Sequence, residues 1–390
     1  MDGSSGTLER DRLGLEMPDG RLHMPSGYQC GLDVSKYLSF HRDEWMDFRR
    51  DHAAGPCHGF APMTLTQLRY LIAIVDAGLN ITTAADRVHA TQPGISKQLK
   101  QLEDELGFLL FQRKGRSLES ITEAGQVVLA HARRAVAEAA NIRAFAANQR
   151  GEAAGTLHIA TTHTQARFVL PAAIGALNRE YPQVGVQLQS LADNDVLPHL
   201  AKGNADIAIV SSVGSVPAGG HAIPLYRWRR VVVVPAGHAL AKLGRAPTLE
   251  DLAAHPLVSY HSTSQPESSL RRAFSDVSLN PTVAMTAHDA DLIKTYVRAG
   301  LGVGILAEMA VSAIADGDLA VLPAPDVLPE CTAWAVVPKE RVLRRYAFDL
   351  FRHVAPQLDR HDLQRVLGGH QESVWPTPPS WVELSQAITN

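Results

Sequence analysis

TTAADRVHATQPGISKQLKQLEDEL, residues 82–106, decides how the N-terminal part of this chain folds. It reads as two short helices joined by a tight turn. Thr82 is an expected N-cap for a first helix over 83–88, where Ala84 and Ala85 let a neighbouring helix pack close. His89 and Ala90 make the turn. Thr91 caps a second helix with Pro93 in its first turn, where a missing N–H leaves no bond unmade. Ile95, Leu99, Leu102 and Leu106 recur at helical spacing as one buried stripe. Gln92, Ser96, Lys97 and Lys100 occupy the opposite face, and no carboxylate appears before Glu103. An ordinary solvated helix face mixes its charges. A face of short donors and cations is what base edges and phosphates require.

The flanking sequence strengthens that reading. Upstream, Leu68, Leu71, Ile72 and Val75 form one face of another helix, closed by Gly78. Downstream, 108–111 and 118–121 read as the strands of a hairpin wing, with a tip of Arg113, Lys114, Gly115 and Arg116. Three cations and no acid at a hairpin tip suit phosphate or minor-groove contact. The expected unit is a winged helix-turn-helix over 63–122. DNA contacts are expected from Thr91, Gln92, Pro93, Ser96, Lys97 and Lys100 on the helix and from Arg113, Lys114 and Arg116 on the wing. Base selectivity should rest on Gln92, Pro93 and Ser96.

Residues 123–150 follow as one long alanine-rich linker helix and its end. Val128, Ala132, Ala135, Ala139, Ile142 and Ala146 form a seam of mostly small residues that predicts helix pairing, hence a homodimer facing a two-fold DNA site. After Gly155 the texture becomes alternating strands and helices. Strands are predicted at 156–160, 184–191, 205–210, 230–234, 257–260, 282–286, 302–306, 320–322 and 332–337. Helices are predicted at about 165–180, 195–202, 249–254, 267–276, 290–299, 308–315 and 343–357. So many strands predict an α/β domain over 155–358 in two subdomains, about 155–226 with 329–358 and about 227–328, with a ligand cleft between them.

ATTHTQAR, 160–167, is the most informative stretch of that domain. A strand ends and a helix begins at Thr161, Thr162, Thr164 and Gln165. One hydroxyl suffices for a cap, so this surplus of donors points to a bound anion. Ser211 and Ser212 end a second strand in the same way, and HSTSQ, 261–265, ends a third. Arg167 fits either the surface or a closing role. The glycines at 300, 302 and 304 follow a helix and lead into a strand, the reverse of a dinucleotide fingerprint. They are expected to stop the helix and allow tight packing.

The rest of the composition excludes more than it adds. With 390 residues, 45% apolar and 20% charged, the chain has room for two or three domains, and its net charge of −3 says nothing about nucleic acid. Cys30, Cys57 and Cys331 show no paired spacing, and His52, Cys57 and His58 lack a fourth zinc-like ligand, so neither a disulfide framework nor a metal is expected. The seventeen histidines form no triad and no metal spacing, which disfavours an enzyme and predicts no cofactor. No apolar run approaches the roughly 18 residues needed to cross a bilayer, and no signal pattern is seen, so the cytoplasm is expected. Residues 1–62 are expected to be a disordered extension or a mis-assigned start, and 359–390 a loosely held tail.

Taken together, 63–358 resembles the LysR-type transcriptional regulators. The motifs are ATQPGISKQLKQLEDELG at 90–107 and LFQRKGRSLESITEAG at 110–125. LTQLRYLIAIVDAGLNITTAAD at 65–86, ATTHTQAR, KGNADIAI at 202–209, DADLIKTYVRAGLGVGILA at 289–307 and the 226–228 segment resemble its CysB/Cbl sulfur-assimilation branch. The resemblance implies a homotetramer acting with RNA polymerase upstream of sulfur-assimilation genes, and an effector such as sulfate, thiosulfate or acetylserine. It also implies anion contacts from Thr162, Thr164 and Gln165. Ser211 and Gln265 stand where the branch has ligand-binding threonines, and His288 replaces another threonine before Asp289. The loop at 261–269 departs from the branch pattern.

Overall fold

The computed structural model describes residues 63–115, 117–369 and 375–389. The His52, Cys57 and His58 group, the rest of 1–62 and the wing-tip Arg116 lie outside them. The described chain begins with α1, Leu65–Asp76, whose N-terminus is a capping box between Thr64 and Gln67. Its core face is Leu68, Leu71 and Ile74, while Ile72 and Val75, expected on that face, are half-buried.

Helix α2, Ile81–Arg87, starts earlier than the sequence predicts, because Asn80 and not Thr82 is the N-cap. Asn80 has extended backbone, and its side chain accepts the Thr83 N–H at 3.0 Å. Ala84 and Ala85 are buried against α1 as expected. His89 takes a left-handed φ of 52° to make the turn. Helix α3, Gln92–Leu106, is capped by Thr91, carries Pro93 in its first turn and ends at Gly107 with φ 76°. Ile95, Leu99 and Leu102 are fully buried in the reader's core, with Leu106 packed against it.

The wing is offset from its expected position. Strand β1 is Phe111–Lys114 and β2 is Ser117–Ile121, antiparallel, while Phe108 and Leu109 are exposed outside the strand. Buried Glu103 explains the offset. Its carboxylate accepts the N–H groups of Leu110 and Phe111, so the turn after α3 is tied to the helix and pairing starts only at Phe111.

Helix α4, Glu123–Gln149, is capped by Thr122. Its first half belongs to the reader: Ala132 is buried in that core, with Val128, Leu129 and Val136 packed on it. The proximal part of the expected pairing seam is therefore spent within the subunit. Its second half rests on the α/β domain, where Asn141 donates to the Glu340 carbonyl and accepts the Val342 N–H, and Asn148 donates to the Leu343 carbonyl. Val127, Ile142 and Phe145 stay exposed, each more than half accessible. Arg133 bonds Asp76 of α1 and, at 2.6 Å, the Lys202 carbonyl of the α/β domain.

Two five-stranded sheets build the α/β domain. The first has the order β4-β3-β5-β12-β6, from β3 Gly155–Thr162, β4 Val184–Leu191, β5 Ile207–Ser212, β6 His221–Trp228 and β12 Cys331–Val337. The second has the order β11-β7-β10-β8-β9, from β7 Arg230–Pro235, β8 Leu257–Tyr260, β9 Val283–Ala287, β10 Val303–Ala307 and β11 Leu319–Pro323. The chain passes between the sheets at 228–230 and again at 323–331. β6 was not foreseen as a strand, because Pro224 interrupts its pattern; the strand lies at a sheet edge, where a missing N–H is tolerated.

The helix expected over 165–180 is two, α5 His163–Phe168 and α6 Leu170–Glu180. Pro171 lies in the first turn of α6, where it cannot continue a preceding helix. Helix α7 is Asp193–Ala201, α8 Leu249–Ala253, α9 Ser269–Asp276, α10 Ala290–Arg298 and α11 Arg345–Val354. The predicted helix at 308–315 is only a 3-10 turn, Glu308–Ala310. Gly300 ends α10 with φ 78°, and a Cβ at Gly302 would meet the Pro256 carbonyl oxygen at 2.2 Å, so both glycines play their expected parts. The stretch expected to hang loose is packed: α12 Arg360–Leu367 buries Leu363, and α13 Trp381–Thr389 buries Leu384 in the first sheet's core.

Candidate functional site: a DNA-reading face and a donor-lined cleft

On the reader, Gln92, Pro93, Lys97 and Lys100 are exposed and Ser96 is half-buried. None of their side chains has a hydrogen-bond or ion-pair partner among the described residues. The Thr91 hydroxyl is occupied in accepting the Gly94 N–H at 3.2 Å. On the wing Lys114 is exposed, whereas Arg113 is held by the Glu103 carboxylate at 2.8 Å. The face thus offers unpaired cations, one amide and one hydroxyl beside one arginine anchored in the scaffold. The anchor is a buried acid that sequence reading had placed at the polar end of the helix.

The second site is a cleft of about 590 Å³ between the two sheets. Thr162, Thr164, Gln165 and Ser211 line it, joined from the other sheet by Tyr260 and His261. Thr162 occupies the N-cap position of α5 yet makes no capping side-chain bond, which leaves its hydroxyl for the cleft. Thr161 points the other way: it is fully buried and donates to the Ile209 carbonyl at 2.9 Å. The Thr164 hydroxyl meets the Tyr260 hydroxyl at 3.3 Å across the cleft.

Gln165 is held in one orientation. The buried Tyr226 hydroxyl donates to its Oε1, and its Nε2 lies 3.5 Å from Ser211 Oγ. Burial pushes the Tyr226 phenol far above its ordinary value, so that the group stays a donor at every physiological pH. The Gln165 carbonyl is therefore spent on Tyr226, and the amide turns its N–H side to the cleft. Ser211 also accepts the Trp228 indole N–H at 3.1 Å. Burial likewise raises the Tyr260 phenol, to about 12. The arrangement is a cluster of neutral donors, able to hold an anion without a formal charge.

Gln265, expected in this set, is not part of the wall. It closes the 3-10 turn His261–Ser264 in extended conformation, and residues 260–263 take the cleft instead. Sequence reasoning missed Tyr226, Tyr260, Trp228, Arg230 and Arg272. The guanidinium of Arg230 bonds the Pro329 carbonyl and Ser269, while Arg272 lines the cleft and its side chain has no hydrogen-bond partner among the described residues. Arg272 shares one face of α9 with Ser269, Ala273 and Asp276, a spacing visible in the sequence once the helix is placed. Arg167 lies outside the wall and pairs with Asp291 at 3.1 Å, joining the two sheets' elements at the surface.

A winged reader, a long linking helix and a two-sheet domain with a polar cleft define a ligand-sensing, DNA-binding regulator. The family comparisons agree. Residues 65–126 match the bacterial regulatory helix-turn-helix protein family of lysR type, and residues 150–359 match the LysR substrate binding domain. The chain belongs to the LysR family of transcriptional regulators. It is similar to the HTH-type transcriptional regulator CysB of Haemophilus influenzae, 38% identical over 304 residues, covering 78% of this chain and 94% of that one. It is also similar to the regulator SsuR of Burkholderia cenocepacia, 35% identical over 78% of this chain and 99% of that one. Among solved structures, the cofactor-binding domain of the Cbl transcriptional regulator matches with a TM-score of 0.50 and 32% identity, over 55% of this chain and 93% of that domain.

Proposed function

We propose that this regulator senses a small sulfur-containing anion in the cleft and controls genes of sulfur assimilation and cysteine biosynthesis. The observation that carries the reading is the Gln165 amide, turned by Tyr226 to present donors beside Thr162, Thr164 and Ser211. Sulfate, thiosulfate and acetylserine all offer acceptor oxygens to such a set. Similarity to CysB, SsuR and Cbl supports the sulfur assignment. The domain division behind it is 63–122 for the reader, 123–150 for the linker, and 155–358 for the sensor.

In this reading a bound anion changes how the two sheets close on each other, and α4 passes that change to the reader. Exposed Val127, Ile142 and Phe145 on α4 support pairing with a second copy, so that a homodimer or homotetramer presents two recognition helices to a two-fold operator. RNA polymerase is the expected downstream partner. No described helix is long and apolar enough to cross a membrane, and we place the protein in the cytoplasm. No enzymatic activity and no cofactor form part of the reading.

Footprinting on the gene's own upstream region, with and without sulfate, thiosulfate and acetylserine, tests it. A footprint that changes with one of them supports the reading, and a footprint indifferent to all three refutes the sulfur assignment. The cleft volume favours a second reading. At about 590 Å³ it far exceeds a sulfate ion, and Arg272 stands unpaired in its wall. A sulfonate with an organic part would use that space, and an alkanesulfonate belongs in the same footprinting series.

A further inference from the structure

The family match for the sensor domain ends at residue 359, but packed structure continues beyond it. Residues 375–387 run along β6, the edge strand of the first sheet. The Arg227 N–H donates to the Pro379 carbonyl at 2.8 Å, its Nε to the Pro378 carbonyl at 2.9 Å, and Arg227 forms a parallel bridge with Ser380. The Trp375 indole donates to the Ala222 carbonyl at 2.9 Å. Ser380 and Glu383 bond reciprocally to start α13, which drops Leu384 into the core. The Trp381 ring then lies 5.4 Å from the Tyr226 ring, centroid to centroid.

Tyr226 is the residue that orients Gln165. From the tail inward the contacts run Trp381 to the Tyr226 ring, Tyr226 hydroxyl to Gln165 Oε1, and Gln165 Nε2 to Ser211 at the cleft wall. We propose that the C-terminal segment is a structural wall of the effector site, with Trp381 a positioning residue for the Gln165 amide. An edge strand without a neighbour shifts and twists easily. Without the ring behind it, Tyr226 moves on its strand and its hydroxyl leaves Gln165. The amide is then free to turn its carbonyl oxygen toward an anion, which repels it.

This inference rests on the effector reading of the cleft, so its test has one arm that needs no ligand. Hydrogen–deuterium exchange on the ligand-free full chain compares wild type, W381A, W381F and V382A, the last altering an exposed residue of the same helix. W381A is expected to speed exchange at 221–228 and also at 163–168, with W381F restoring both and V382A changing neither. In the second arm, calorimetric titration with thiosulfate should show W381A binding about three- to tenfold more weakly, the worth of one aromatic pair, and W381F near wild type. Should W381A fail to fold, W381L keeps the apolar bulk and carries the same expectation at smaller size. Unaltered exchange at 163–168 overturns the proposal. So does unaltered thiosulfate affinity in a variant whose wild type binds. A wild type that binds none of thiosulfate, sulfate and acetylserine refutes the effector reading instead, and the exchange arm still decides whether Trp381 positions Gln165.

Discussion

The DNA-reading face and the donor-lined cleft use similar chemistry in opposite ways. On α3 the functional side chains lie within nine residues of one another, all but half-buried Ser96 exposed, and all unpartnered among the described residues. In the cleft, Thr164, Gln165, Ser211, Tyr226 and Tyr260 come from four separate stretches of chain and are bonded to one another. The reader keeps its donors free because phosphate and base edges arrive as an extended surface from water. The cleft must hold each donor in one direction, because a small ligand in a partly desolvated site tolerates no amide turned the wrong way. The lesson is that the reader face rests mainly on unpaired polar groups, whereas the cleft orients several of its donors by pairing them with one another and leaves Thr162 and Arg272 open.

That difference can be broken at several places. The largest effect is expected in the sensor's interior, where buried Lys294 meets buried Asp316 at 3.1 Å and Arg298 caps the same carboxylate. D316N leaves Lys294 only the more exposed Asp291 carboxylate, at 3.2 Å, as counter-charge, and should cost about 3 kcal/mol in denaturant unfolding, the low end for a broken buried pair. No comparable loss is expected from K97Q or K100Q on the open reader face.

Next comes Q165L, which removes the oriented amide and leaves the Tyr226 hydroxyl unpaired. Thiosulfate affinity should fall by roughly 1–3 kcal/mol, about five- to 150-fold, while Q265L leaves it unchanged. Equal effects of the two would erase the distinction between wall and neighbour. For the reader, K97Q, K100Q and K114Q should each lower the slope of log affinity against log salt by about one. R113Q should change it less, because Glu103 already holds that guanidinium.

The smallest effect is a pH dependence where the two regions meet. Burial holds the His199 imidazole below its ordinary value of 6.5, Lys202 adds to this, and Asp76 opposes it. The folded state then binds the proton less readily than the unfolded one. Stability is intact above the ordinary value and falls as pH drops from there toward the depressed folded value. Denaturant midpoints at mildly acidic and neutral pH should differ less in H199Q than in wild type.

Much of the reader was legible because its information is local. Helical periodicity identifies Ile95, Leu99 and Leu102, and the spacing of Thr91, Pro93 and Gly107 frames α3. The errors there were small and local too: Asn80 took the cap from Thr82, and buried Glu103 moved the start of the wing. In the cleft, the strand-end hydroxyls announced themselves, since three threonines and a glutamine exceed what one cap needs. Gln265 misled because a position in a hydroxyl-rich loop says nothing of which way the turn will face. Tyr226 was hidden in a proline-interrupted edge strand, and Trp381 in a segment with no pattern that foretold its partner.

The sequence by itself determined that this chain reads DNA, through a helix whose two faces alternate within fifteen residues. It also marked the strand end at 161–165 as unusually rich in hydrogen-bond donors. Only the tertiary structure decided which of those hydroxyls faces the cleft, that Thr161 turns inward to the sheet, and that the C-terminal segment stands behind Tyr226. The physical reason is range. A helix face follows from the 3.6-residue period of one segment, whereas a cleft exists only where strands distant in sequence are brought side by side.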